Sequence, residues 1–185
     1  MAEGWEEAWA FPLPWPPLGD EAAGVGLRPW GAGERDPEAL AEAWADPEIA
    51  RWTAVPEVHD VGAARAWIRG EEERRARGLA MDLVIGELRE PRRIHGEVGL
   101  AVVDADKRWA ELGFWLAAGS RGAGRARAAV AVFADWALRE LPVERLFART
   151  HPDNPAAGAV ASAAGLALAG SLETGTQVWI RDRPR

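Results

Sequence analysis

Ala110-Glu111-Leu112-Gly113-Phe114-Trp115-Leu116 is followed, four residues later, by Arg121-Gly122-Ala123-Gly124-Arg125-Ala126, and then by helical spacing as far as Glu140. In the first stretch Glu111, Gly113 and Trp115 alternate with Leu112, Phe114 and Leu116, the period of two that gives a strand its two faces. Beyond the glycines, Ala126, Ala129, Val130, Phe133 and Ala137 fall on one stripe, which predicts a helix over residues 122–140. A strand, a glycine turn and a helix in that order make an anion cradle. The first amides of a helix lack internal partners and lie at the positive end of its dipole. Gly122 and Gly124 leave the main chain uncovered, and Arg121 and Arg125 add positive charge. The turn is not a Walker loop, because no Gly-Lys-Ser/Thr follows. The Rossmann spacing fails too, because Arg127 stands where a third glycine belongs.

Working outward, residues 80–87, 94–103 and 109–116 are short β-prone runs separated by turn-rich segments, and they predict an antiparallel meander. Gly113 inside a bulky strand predicts a bulge or a close backbone approach. Further upstream lies a strand at 25–30. A helix to Ala45 follows, with Asp36 as N-cap and Pro37 at its first position. A second helix starts at Asp60, with Val61, Ala64, Trp67 and Ile68 on one face, and ends at Gly78. Downstream come a strand at 143–150, a turn at 151–155, an alanine-rich helix to Ala164, and strands near 166–172 and 177–181. The order β, α, α, β, β, β, α, β, α, β, β predicts one α+β domain over residues 25–185. Residues 1–24 read as a Pro/Trp-rich arm. Its Trp5, Trp9, Phe11 and Trp15 are costly to leave in water, so the arm packs either on its own domain or on the partner subunit of a homodimer.

Composition narrows the chemistry. The absence of cysteine removes thiolate nucleophiles and thiolate metal sites, and it suits the cytoplasm; three scattered histidines argue against a metal. A net charge of −7, with arginines interleaved among glutamates, argues against nucleic acid and suits a cationic substrate. No apolar run is long enough to cross a membrane, and the acidic first residues do not read as a secretion signal.

The strand 110–116, the cradle 121–126, His151-Pro152-Asp153-Asn154-Pro155-Ala156-Ala157 and Ala163-Ala164-Gly165-Leu166, in this order, resemble the GNAT superfamily of N-acetyltransferases. Leu27-Arg28-Pro29-Trp30, Asp46-Pro47-Glu48, Arg51-Trp52 and Ala66-Trp67-Ile68 resemble its RimJ/RimL-like branch, the ribosomal-protein alanine acetyltransferases. The resemblance implies a mostly antiparallel central sheet flanked by helices and splayed between the strands ending at Leu116 and Thr150. Acetyl-coenzyme A would enter the splay. The family pattern maps onto Arg121, Gly124 and Ala126, so amides from Gly122 through Ala123 and Arg125 to Ala126 would hold the pyrophosphate. The edge at Phe114, Trp115 and Leu116 would pair with the pantetheine arm as an added strand does, and Asn154 would contact that arm or a water beside the sulfur.

Acetyl transfer to an amine needs a neutral nitrogen, a polarised carbonyl and a protonated leaving thiolate. Glu111 is the expected base, directly or through water, against a solvent-facing strand glutamate as the plain alternative. The Trp115 or Leu116 amide is a candidate oxyanion donor. Relatives often carry serine where this chain has Ala157, and the chain has no tyrosine. Water or His151 therefore serves as the acid, or the thiolate leaves unaided. The expected acceptor is an α-amino group of a protein or peptide. The alternatives are a small-molecule amine (polyamine, amino acid or antibiotic) and a coenzyme A-binding module without turnover.

Overall fold

The computed structural model describes residues 10–90 and 92–184. Two strands, β1 (Gly19–Asp20) and β2 (Val25–Pro29), lead into four short helices, α1 (Asp36–Trp44), α2 (Pro47–Trp52), α3 (Val61–Arg69) and α4 (Glu71–Ala76). The meander β3 (Ala80–Glu87), β4 (Ile94–Asp104) and β5 (Trp109–Leu116) follows, then the long helix α5 (Arg125–Glu140). Strand β6 (Arg145–Thr150), helix α6 (Pro155–Ala163) and strands β7 (Ala167–Ser171) and β8 (Gln177–Asp182) close the chain. The eight strands of the described residues lie in one sheet, in the order β1-β2-β3-β4-β5-β6-β8-β7. Neighbours are antiparallel except β5 and β6.

The alternation read from the sequence sets the two faces. Met81, Leu83 and Ile85, Val98 and Leu100, Ala110 and Leu112, and Leu146 and Ala148 are buried with Val130, Phe133 and Ala137 of α5 and Val160 of α6. Val84 and Trp115 point the other way, where they pack with Trp30, Leu40, Trp44, Ile49 and Ala64. Burying this much aliphatic and aromatic surface is the main stabilising term, at roughly 25 cal/mol per Å².

The parallel pair decides the architecture. β5 and β6 pair only at Trp109↔Arg145, Ala110↔Leu146 and Glu111↔Phe147. Beyond Glu111, β5 keeps β4 on one edge and, among the described residues, no strand on the other, while β6 continues against β8 as far as Thr150↔Gln177. The sheet is therefore splayed where expected, with the N-terminus of α5 above the gap.

Several local expectations change. Asp36 does not cap α1; it is buried and accepts two hydrogen bonds from Arg28, at 2.7 and 2.8 Å, and others from the Gly31 and Gly33 amides. A guanidinium in reach outcompetes helix amides for a carboxylate. Asp46-Pro47-Glu48 repeats the Asp-Pro-Glu signature and starts α2, a helix absent from the sequence reading; Asp46 accepts from the Glu48 amide at 2.8 Å. The helix from Asp60 is interrupted at Gly70 rather than running unbroken to Gly78. Strand irregularities fall at Ile85/Gly86, Val102/Asp104 and Leu168/Gly170, and not at Gly113, which stands in register with Gly99. In the arm, Phe11 is buried and bonded to Arg75 in both directions, whereas Trp15 is 89% exposed. Trp5 and Trp9 lie outside the described residues. Because β1 pairs with β2, the last part of the 1–24 segment belongs to the sheet.

Candidate active site

β5 ends at Leu116 and a single 3-10 turn, Ala118–Ser120, lifts the chain into the glycine loop. That turn is anchored from below. The buried His95 imidazole bonds Ser120 Oγ through Nδ1 at 2.8 Å and Glu87 through Nε2 at 3.0 Å, and its carbonyl accepts from the Ala117 amide. The imidazole bond holds the Glu87 carboxyl below its ordinary range. Gly122 and Gly124 take φ of +81 and +76, where a side chain is strained, and a Cβ built on either would meet nothing within 4 Å. Gly124 is the N-cap of α5, and among the described residues no side chain caps the helix. Its first amides therefore face open space at the positive end of a 16-residue helix.

A cavity of about 470 Å³ lies before this loop. Phe114, Trp115, Leu116, Arg121, Gly122, Gly124, Arg125 and Ala126 line one side, and Asn154, Ala156 and Ala157 the other. Of the residues expected to hold the nucleotide, only Ala123 is off its wall. Arg121 donates from Nε to the Leu116 carbonyl at 3.0 Å and from Nη2 to Asp46 at 2.9 Å. The Glu48 amide and then Arg121 hold the Asp46 carboxyl below its usual range. Asn154 caps α6 by accepting from the Ala157 amide at 3.2 Å. His151 accepts from the Asp153 amide through Nδ1 at 3.1 Å, and its ring lies 5.5 Å from that of Trp52.

A second cavity, of about 890 Å³, opens on the sheet face that carries Glu111, Gly113 and Trp115. Its floor is the pair Gly99↔Gly113. A Cβ on Gly99 would strike Asp82 and the Met81 carbonyl, whereas one on Gly113 would meet nothing. Trp44, Trp52, Trp67 and Trp115 line it. Trp30 stacks on Trp115 at 6.4 Å, and Trp67 meets Trp30 and Trp44 edge-on at 6.3 Å. The cavity holds three carboxyl groups. Glu111 is clamped by Arg149 through two hydrogen bonds, at 2.7 and 2.8 Å. Asp82 has Arg74 at 3.8 Å. Glu97 accepts from the indole N–H of Trp30 at 2.8 Å and of Trp115 at 3.0 Å. Burial, and then the charge of Asp82, push the Glu97 carboxyl up to about 8 against the pull of the two indoles. Burial raises Asp82 to about 7, with Arg74 opposing.

The sequence reading did not reach Glu97, Asp82 or the His95–Ser120 anchor. An acid inside each of two apolar runs, at Asp82 and Glu97, was the available signal. The two cavities meet across Trp52, Thr53, Phe114, Trp115, Asn154 and Ala157. Among the described residues, no group of three or more His, Cys, Asp or Glu side chains could hold a metal ion, and no helix is long and apolar enough to cross a membrane.

The profile of the acetyltransferase (GNAT) domain matches residues 25–167. The chain belongs to the GNAT acetyltransferase family. The GNAT domain is that of an acetyl-coenzyme A-dependent acyltransferase. An uncharacterized N-acetyltransferase of Bacillus licheniformis, p20, is 28% identical over 119 residues, 64% of this chain and 66% of the relative. The match thus spans just under two thirds of that relative's length. Among solved structures, Mycobacterium smegmatis RimJ in complex with CoA-disulfide superposes with a TM-score of 0.74 at 23% identity, over 90% of this chain and 85% of that one. Spermidine N-acetyltransferase from Vibrio cholerae, in complex with CoA and spermine, does so with a TM-score of 0.71 at 15% identity, over 87% and 96%. At these identities the two structures share the GNAT fold with this chain.

Proposed function

We propose that this protein transfers the acetyl group of acetyl-coenzyme A to the α-amino group of a protein or peptide, as a cytoplasmic enzyme of the RimJ/RimL-like branch. The observation that carries the reading is the meeting of two cavities at the unpaired edge of β5. In this reading the smaller cavity takes the donor. The amides from Gly122 to Ala126 hold its pyrophosphate, with Arg121 and Arg125 adding charge. The free edge at Phe114, Trp115 and Leu116 carries the pantetheine arm, and Asn154 flanks it from the second wall. A main-chain amide at Trp115 or Leu116 stabilises the carbonyl oxygen as charge develops. His151, on the rim beside Trp52, is the side chain nearest to the role of acid in a chain that lacks a hydroxyl at 157.

The larger cavity takes the acceptor. Its volume, about 890 Å³, is at the upper end of ligand sites and leaves room for an N-terminal segment. An α-amino group, with a pKa of about 7.7 to 8.0, also gives up its proton more readily than a lysine at about 10.4. The test is thiol release from acetyl-coenzyme A with panels of peptides differing in their first residue, set against polyamines, amino acids and aminoglycosides. Peptide turnover is expected. Turnover confined to small amines would replace the acceptor, and tight coenzyme A binding with no turnover on either panel would reduce the protein to a binding module.

A further inference from the structure

We infer that Glu97, and not Glu111, receives the acceptor's ammonium group and removes its proton, an assignment that rests on the amine-acetyltransferase reading above. Position comes first. Glu97 lies directly across the β4–β5 ladder from Trp115, one of the residues that line both cavities, so its carboxyl reaches the acceptor cavity one strand away from the free edge of β5. Its partners come second. Each carboxylate oxygen takes one indole N–H, and indoles donate without neutralising charge. A carboxylate has about four acceptor sites, so two remain. Glu111 has both oxygens committed to the Arg149 guanidinium, whereas no cation lies within salt-bridge distance of Glu97 among the described residues. Aromatic walls are third. Trp44 and Trp115 line the cavity, and an indole face attracts a cation that has left water.

The charged groups around Glu97 are Asp82 on β3, Arg74 and Glu71 on α4, and the Glu111–Arg149 pair further along the face. Burial and Asp82 raise Glu97 into the range of an α-amino group, so a proton passes between them with little driving force in either direction. The ammonium gives one proton to the Glu97 carboxylate, and the freed nitrogen lone pair forms the C–N bond while the C–S bond breaks. The second proton lost from nitrogen goes to the departing thiolate as the amide forms, and Glu97 later releases its proton to solvent.

The test compares the wild type with Glu97→Gln, using an alanine-initiated tripeptide and spermidine as acceptors, at pH 6.5 and pH 9.5. At pH 6.5 the tripeptide is mostly an ammonium ion, so turnover runs through the minority of enzyme whose Glu97 is ionised, and kcat/KM should fall about 100-fold in Glu97→Gln. At pH 9.5 the nitrogen is already free, and the deficit on the tripeptide should narrow to less than about tenfold. Titration with coenzyme A reports separately on folding and on the donor cavity, and its affinity should stay within about threefold of wild type. A deficit equal at both pH values, or no deficit, overturns the assignment. If Glu97→Gln fails to bind coenzyme A, Asp82→Asn decides. Removing the neighbouring charge should move the rising limb of kcat/KM to lower pH, and an unmoved limb overturns the assignment. A wild type that binds coenzyme A but acetylates neither acceptor sinks the acetyltransferase reading itself, and this one with it.

Discussion

Arg149 closes on the Glu111 carboxylate at 2.7 and 2.8 Å, immediately past the last backbone pairing of β5 with β6 at Glu111↔Phe147. Where the ladder stops, a side-chain fork spans the opening of the splay. Hydrogen bonding to Glu111 raises the Arg149 pKa further, so the guanidinium stays charged across the working range. Glu111→Gln should leave the pH profile of kcat/KM unshifted and lower it less than tenfold. The ion pair is solvent-facing, and its loss should cost no more than about 1 kcal/mol. A profile whose acid limb vanishes in Glu111→Gln would restore Glu111 as the base.

Two glycines separate the cavities experimentally. Gly124→Val places a branched side chain at φ +76 in the space before the α5 amides, and it should raise the coenzyme A dissociation constant at least tenfold. Gly113→Ala needs no unusual backbone and fills only the floor of the larger cavity. It should raise the acceptor KM while leaving coenzyme A affinity within about twofold. Calorimetric titration and steady-state kinetics on the pair check both, and a swap of the two phenotypes would refute the division of labour.

Glu97 carries an opposite signature in stability. Its folded-state pKa, about 8, lies above the ordinary 4.5, so the native state binds more protons than the unfolded one between those values. Stability from this group is complete below about pH 4.5 and is lost as pH rises through about 8. Glu97→Gln should therefore melt at a higher temperature than wild type at pH 8.5, with the advantage shrinking toward pH 5. A difference that is constant with pH would contradict the raised pKa.

Asp36 is 1% exposed and neutralises Arg28 with two short hydrogen bonds. Asp36→Ala removes both of these bonds to Arg28 of β2, together with those that Asp36 takes from the Gly31 and Gly33 amides, and breaking this buried pair should cost about 3–5 kcal/mol. Chemical denaturation would show the midpoint falling, and a loss under about 1 kcal/mol would mean that the pair contributes little.

The meander and the long helix were legible because period-two and period-3.6 patterns are written in consecutive residues; β3 and β5 have the bounds read from the sequence. The glycine turn before that helix was legible for the same reason, being local. The roles of Asp36 and Glu97 were not. Each is set by a partner distant in sequence or across a strand ladder: Arg28 for one, Trp30 and Trp115 for the other. α2 was missed although Asp46-Pro47-Glu48 carries a cap, a proline and an early acid, because six residues are too few to display a periodicity. Nothing in the order of residues shows that Ser120 rests on a buried imidazole from β4.

Asp46 begins α2, which supplies Trp52 to the wall of the larger cavity, and also grips Arg121 in the glycine loop. Position 46 therefore cannot be tuned for one ligand alone. Exchange for Asn keeps the helix start and gives up the charged grip; exchange for Glu keeps the charge and compromises the start. A mutational survey scoring donor and acceptor affinities independently would find both moving together there, as at a shared hinge pin.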